Sequence, residues 1–176
     1  MENYEELIQS AKEVLNKNDR GTYTCPNYVL YPYQWLWDSC FISIGLSHID
    51  IERAKQEILS LFEGQWSNGM VPNMLMWKYA KKGPYSKSRQ ERIWRSWLNP
   101  ASPDDLQTSG ITQPPMIAEA VVKIGERMNK TERAYWYKQV YKPLLNYHSW
   151  LFSERAPHKE GLVLLIHPWE CGLDNT

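Results

Sequence analysis

The run DIERAKQEILSLFEG, residues 50–64, sets the fold class, because it carries a full set of helix signals. Asp50 is a good N-cap, Ile51, Ala54, Ile58, Leu61 and Phe62 line one face, and Gly64 stops the run. The same period recurs on both sides. Upstream, Tyr4, Leu7, Ile8, Ala11, Val14 and Leu15 predict a helix that ends between Asn18 and Gly21. Between these two, a helix is expected to start at Asp38 or Ser39 and to turn Phe41, Ile42, Ile44 and Gly45 inward. Downstream, Thr112 precedes Pro114 and Pro115, which fit a first helical turn, and Ile117, Val121, Ile124 and Met128 follow. Thr131 is expected to cap a last helix carrying Ala134, Val140, Tyr141, Leu144, Leu145 and Phe152 inward, kinked by Pro143.

Between the helices lie segments without periodicity. Residues 22–37 are rich in Tyr, Pro and Trp and read as extended chain or loop. Residues 65–112 form a long excursion with room for one short helix near 90–98. Its aromatics (Trp66, Trp77, Tyr79, Tyr85, Trp94, Trp97) argue against disorder. The tail opens on the apolar run LVLLI (162–166), for which no pairing partner is evident. Paired helices joined by alternately short and long loops suit a closed ring of helical hairpins, with the site in the loops of one mouth. A four-helix bundle is the simpler alternative, but it needs no such loop.

Composition narrows the function. Twenty basic residues balance twenty acidic ones, so neither nucleic acid nor an anionic membrane is expected as a partner. The polar N-terminus MENYEELIQSAKEVL predicts no secretory signal, and no apolar run is long enough to span a membrane. Three scattered cysteines suit a reducing cytoplasm, and neither they nor the four histidines have metal-ligand spacing. No cofactor is expected. Nine Trp and eleven Tyr against three Phe favour surfaces that are both contacted and wet, such as sugar clefts or protein interfaces.

Three segments carry a resemblance. YPYQWLWDSCF (31–41), SGITQPP (109–115) and HPWECGLDN (167–175) resemble, in order and spacing, the motifs of glycoside hydrolase family 63 and the related mannosylglycerate and glucosylglycerate hydrolases. The resemblance covers roughly residues 20–176. It implies an all-α (α/α)6 toroid, with residues 1–176 the N-terminal part of one catalytic domain, and hydrolysis of an α-glycosidic bond with inversion. Asp174 matches the family's general acid, the aspartate that follows E-S-G-x, although Cys171 stands here in place of the serine. The family's base is a glutamate far downstream, so the chain is expected to need the C-terminal half of its own domain and to be nearly inactive alone. A non-catalytic carbohydrate-binding or degenerate half-barrel, or a helical interaction protein, is the competing reading.

Inverting hydrolysis uses one carboxyl group to protonate the departing oxygen and another to activate water on the opposite face. Asp174 suits the first role, since desolvation beside Trp169 and Leu173 would keep it protonated. It could equally be a helix N-cap after Gly172. Tyr31, Trp35, Trp37 and Asp38 form a first sugar-contact cluster, in which indole faces stack on a pyranose and the carboxylate accepts its hydroxyls. Core packing is the alternative for each Trp. Gln113 is a contact amide or a helix-start residue. Trp169 and Gly172 would wall the acid, with His167 behind as a buried hydrogen-bonder or a contact. Glu170 would orient neighbours or bind a sugar hydroxyl. In the long loop, GMVPNM (69–74) resembles a family stretch that often has histidine at the position of Asn73. Tyr79 or Tyr85 could close over the substrate. The basic residues between Lys78 and Arg95 suit an anionic aglycone such as glycerate, or simply a solvated surface.

Overall fold

The computed structural model describes residues 4–77, 96–157 and 161–173. Five α-helices are present among them: α1 (Tyr4–Asn18), α2 (Leu36–Leu46), α3 (Ile51–Glu63), α4 (Ile117–Gly125) and α5 (Lys130–Glu154). A two-residue ladder pairs β1 (Gln34–Trp35) antiparallel to β2 (Met74–Leu75), with Gln34 opposite Leu75. Helix α2 packs on α3 and α4, and α4 also contacts α3 and α5, so the helices form an arc of neighbouring hairpins. One continuous core joins them, including Leu36, Cys40, Ile58, Leu61, Ile117, Ile124, Trp136 and Tyr147.

Helix α3 follows its sequence signals. Asp50 accepts the Arg53 backbone N–H as N-cap, and Gly64 closes the helix. Helix α2 departs from them. It starts at Leu36, two residues before Asp38, because its first N–H groups are taken by distant residues. Leu36 N–H donates to the Asn73 carbonyl (2.9 Å) and Trp37 N–H to Gln113 Oε1 (3.0 Å), so no local cap is needed. Its inward face is also different. Leu36, Ser39, Cys40, Ser43 and Leu46 are buried, while Phe41 and Gly45 are exposed. The helix is apolar on every side, so its period selects no face, and the small Ser and Cys side chains suit close approach of a neighbouring helix.

The last two helices differ in similar ways. Pro114 and Pro115 precede α4, whose N-cap is Met116. Asn129, not Thr131, caps α5, in a capping box with Glu132. Helix α5 runs through Pro143 as one helix and buries Trp136, Val140, Tyr147, Trp150 and Leu151. Ala134, Tyr141, Leu145 and Phe152, expected inward, are exposed. The aromatics on the opposite stripe won, because they bury more area per residue. The stripe of α1 likewise faces outward, with Leu7 66% and Ile8 55% exposed.

The two flanks of the long loop are bonded to each other. Asn73 N–H donates to the Ile111 carbonyl, Met76 N–H to Gln107 O, and Trp66 Nε1 to Thr108 Oγ1. A short 3-10 helix occupies Ser96–Leu98.

The deepest polar feature is Glu57 on the buried face of α3. Its carboxylate accepts from Thr24 N–H (2.7 Å), Ser39 Oγ and Gln34 Nε2 (3.3 Å), and pairs with Arg53 Nη1 at 3.0 Å. Arg53 also reaches Asp19 (3.1 Å) and Thr24 Oγ1 (2.8 Å). Gln34 continues the network, donating to Ser60 Oγ and accepting from Trp77 Nε1. Burial pushes the Glu57 carboxyl above the usual glutamate range, while Ser39, Arg53 and Thr24 pull it back. Removing the carboxylate would leave several buried donors unpaired. Glu57→Ala is therefore expected to cost about 3–5 kcal/mol, read as a lowered midpoint in urea unfolding followed by circular dichroism.

Candidate active site

The three sequence segments singled out above meet at the N-terminal end of α2. Trp37 lies in its first turn, and the Trp37 N–H is accepted by Gln113 from the second segment. The third segment closes on the same indole. Gly172, at φ 79°, lies so close that a Cβ there would sit 3.1 Å from the Trp37 ring and 3.2 Å from Pro114. Glycine is needed at this position twice over, for its left-handed backbone and for its missing side chain.

Two buried groups hold the second segment. The Thr112 hydroxyl contacts Tyr147 Oη (2.6 Å) and the Val71 carbonyl (2.8 Å), and Tyr147 Oη also donates to the Gln113 carbonyl at 3.1 Å. Burial pushes the Tyr147 phenol well up, so it remains a neutral donor. The third segment is a 3-10 helix, Pro168–Cys171, with His167 as N-cap accepting the Trp169 N–H on Nδ1. Glu170 is buried beneath it. Oε1 accepts from Arg155 Nη2 (3.0 Å) and Thr112 N–H (3.3 Å), and Oε2 from the Ile166 N–H (2.8 Å).

Around this junction the first segment is graded in exposure. Tyr31 is exposed and meets the half-buried Trp35 edge-on, with ring centroids 6.1 Å apart. Trp35 Nε1 is buried without a hydrogen-bond partner among the described residues. Trp37 meets the exposed Phe41 edge-on at 5.2 Å. Asp38 is half-buried in the first turn of α2, where the helix dipole favours its charge. Trp169 is half-buried, with the His167 ring 5.5 Å away.

Two expected contacts turn out to be engaged internally. Gln113 is buried and its amide oxygen serves the start of α2, so the helix it begins is not the one next to it in sequence. Both carboxylate oxygens of Glu170 have protein partners, which is the geometry of an orienting residue. Asn73 is fully buried and accepts from the Ser109 hydroxyl. Asp174, Tyr79 and Tyr85 lie outside the described residues, as do the basic residues between Lys78 and Arg95. The sequence reading missed Arg155, Tyr147 and Thr112 as holders of the site. Only the buried polar bonds they make across 15 to 58 residues reveal them. Among the described residues, no group of three or more His, Cys, Asp or Glu could hold a metal.

Known proteins resemble this chain along nearly its whole length. The family described as the mannosylglycerate hydrolase MGH1-like glycoside hydrolase domain matches residues 31–176. A mannosylglycerate hydrolase of Thermus thermophilus is 43% identical over 171 residues, covering 94% of this chain and 39% of the relative. A glucosylglycerate hydrolase of Mycolicibacterium hassiacum is 34% identical, covering 97% of this chain and 39% of the relative. The crystal structure of the Thermus thermophilus family 63 mannosylglycerate hydrolase with Tris and D-glycerate superposes with a TM-score of 0.77 at 41% identity. That match covers 97% of this chain and 38% of the solved one. This chain thus spans about two fifths of the length of these relatives, and its fold is the N-terminal part of an all-α toroid.

The Gly172 junction can be tested directly. Gly172→Ala should cost about 1–3 kcal/mol from its left-handed backbone and shift its contact with Trp37 by a few tenths of an ångström. Faster amide exchange at Leu173 and a changed near-ultraviolet circular dichroism signal would register it.

Proposed function

This chain belongs to the mannosylglycerate hydrolase MGH1-like glycoside hydrolase family, and on that premise we propose that it forms part of the catalytic domain of an inverting α-glycosidase. The observation that carries the reading is the meeting of Trp37, Gln113 and Gly172, one from each motif, at a single helix start. The substrate class is a small α-mannoside or α-glucoside, and the names of the relatives favour glycerate as the aglycone.

In this reading Asp174 is the general acid and protonates the glycosidic oxygen as the bond breaks. Gly172 and Leu173 lead into it from the segment fixed on Trp37 and Glu170. Asp38 accepts sugar hydroxyls, and Tyr31, Trp35 and Trp37 offer aromatic surface to the C–H face of the ring. The Trp35 indole N–H, buried and unpartnered among the described residues, is a donor available to a sugar oxygen. Glu170 and Gln113 act mainly by holding these groups in place. The base that activates water is a carboxylate outside this chain, about 6.5–9.5 Å from the acid in inverting enzymes.

Residues 1–176 are accordingly proposed as the N-terminal part of a single (α/α)6 domain. The exposed apolar stripe of α1, the outer side of α5 at Tyr141, Leu145 and Phe152, and the wholly exposed run Leu162–Ile166 support this. Surfaces of that kind call for a partner, and the remaining helices of the ring would supply it. Cys25, Cys40 and Cys171 are free, and no helix among the described residues is long and apolar enough to cross a membrane. A cytoplasmic location fits both.

Three measurements test the proposal. In the full-length protein containing this chain, Asp174→Asn should lower hydrolysis of the α-glycoside by about 10²–10⁴-fold while sugar binding stays detectable. Activity near that of the unchanged protein would remove Asp174 from the acid role. Proton NMR of the first-formed sugar should show the β-anomer, and initial appearance of the α-anomer would exclude inversion. Residues 1–176 alone are expected to turn over no glycoside and to bind a hydrophobic dye, and dye binding should fall in the longer chain.

A further inference from the structure

We infer that Arg155 is a positioning residue for the general acid: its buried ion pair with Glu170 fixes the segment that leads into Asp174 on the end of α5. This rests on the role proposed above for Asp174.

Several observations converge on the pair. The segment from Gly161 to Ile166 is exposed throughout, although it is strongly apolar, so burial does not hold it. The 3-10 helix that follows is four residues long, too short to be stable by itself. Among the described residues, its polar ties to the rest of the fold include those of Glu170 with Arg155 and Thr112. Arg155 Nη2 lies 3.0 Å from Glu170 Oε1, with the two side chains 12% and 0% exposed. The guanidinium is stacked over Trp150 at 4.7 Å, which fixes its plane. The Arg155 carbonyl accepts the Leu164 N–H at 2.7 Å, so the same residue anchors the segment by its backbone as well.

Glu170 distributes the restraint. Its other bonds take the N–H groups of Ile166 and Thr112, joining the third motif to the second. Two residues on, Gly172 turns the chain against Trp37. Arg155, Glu170, Thr112 and Gly172 therefore fix the segment on three sides immediately before the acid. Proton donation to a leaving oxygen tolerates little misplacement, since a shift of about 1 Å costs about 10²-fold in rate. Arg155 itself need touch no substrate.

The test separates proton donation from general damage by changing the leaving group. The aglycone of a glycerate-linked substrate would depart as a strongly basic alkoxide unless the acid protonates its oxygen, whereas the glycosyl fluoride of the same sugar expels fluoride with little need of a proton. In the full-length protein, Asp174→Asn is measured first on both substrates. A selective loss on the glycerate-linked substrate establishes the acid, and an equal loss on both or none on either overturns the Asp174 assignment instead. With the acid established, Arg155→Met is expected to lower kcat on the glycerate-linked substrate by about 10²-fold and on the fluoride by less than about 5-fold. Arg155→Lys should restore part of the difference. Should Arg155→Met fail to fold, Glu170→Gln, which keeps the side-chain shape, is expected to show the same selectivity. Equal losses on both substrates, or no loss on either, would overturn the positioning role.

Discussion

The carboxylate of Glu57 is the constraint around which the first helices of this chain are arranged. A charge that is fully buried must be met by donors on every open side, and here they come from four different places. Thr24 supplies a backbone N–H from the loop after α1, Ser39 a hydroxyl from α2, Gln34 an amide from β1, and Arg53 a guanidinium one turn back on α3. Those donors fix where the irregular stretch 19–34 lies on the helical arc. They also fix the strand from which Trp35 and then α2 begin, and so the first wall of the site.

Glu170 repeats the device at the other end of the chain. It too is buried, pairs with one arginine and accepts backbone N–H groups from segments with no helix or sheet partner. Hydrophobic packing arranges α2 to α5 into an arc, but packing is non-directional and cannot place a loop accurately. Hydrogen bonds to charged groups are directional and stronger than neutral ones, so the loops near the site are placed by carboxylates. Arg155 stands to Glu170 as Arg53 stands to Glu57.

The helix start at Leu36 is where the two systems meet. Its N–H groups are capped by the Asn73 carbonyl from the long loop and by the Gln113 amide from the second motif, and Gly172 closes over its indole. A helix capped from a distance can begin where its own sequence offers no cap. That arrangement couples the position of Asp38, in the first turn, to residues far away along the chain. It also accounts for the unexpected helix boundary and the candidate site falling at the same residues.

The sequence by itself determined the helical class, the existence of all five helices described, and the cap at Asp50. These depend on interactions within a few residues, which spacing and side-chain type encode directly. It also marked the three segments that meet, through their ordered resemblance to the motifs of one hydrolase family. The tertiary structure decided where α2 starts, which stripe of α5 is buried, and that Gln113 and Glu170 hold the site from within. Each of those depends on a partner many residues away, and a bond between distant residues leaves no local pattern in the chain that carries it. Arg155 is the clearest case, an arginine at the end of a helix whose buried carboxylate partner lies 15 residues further along the chain.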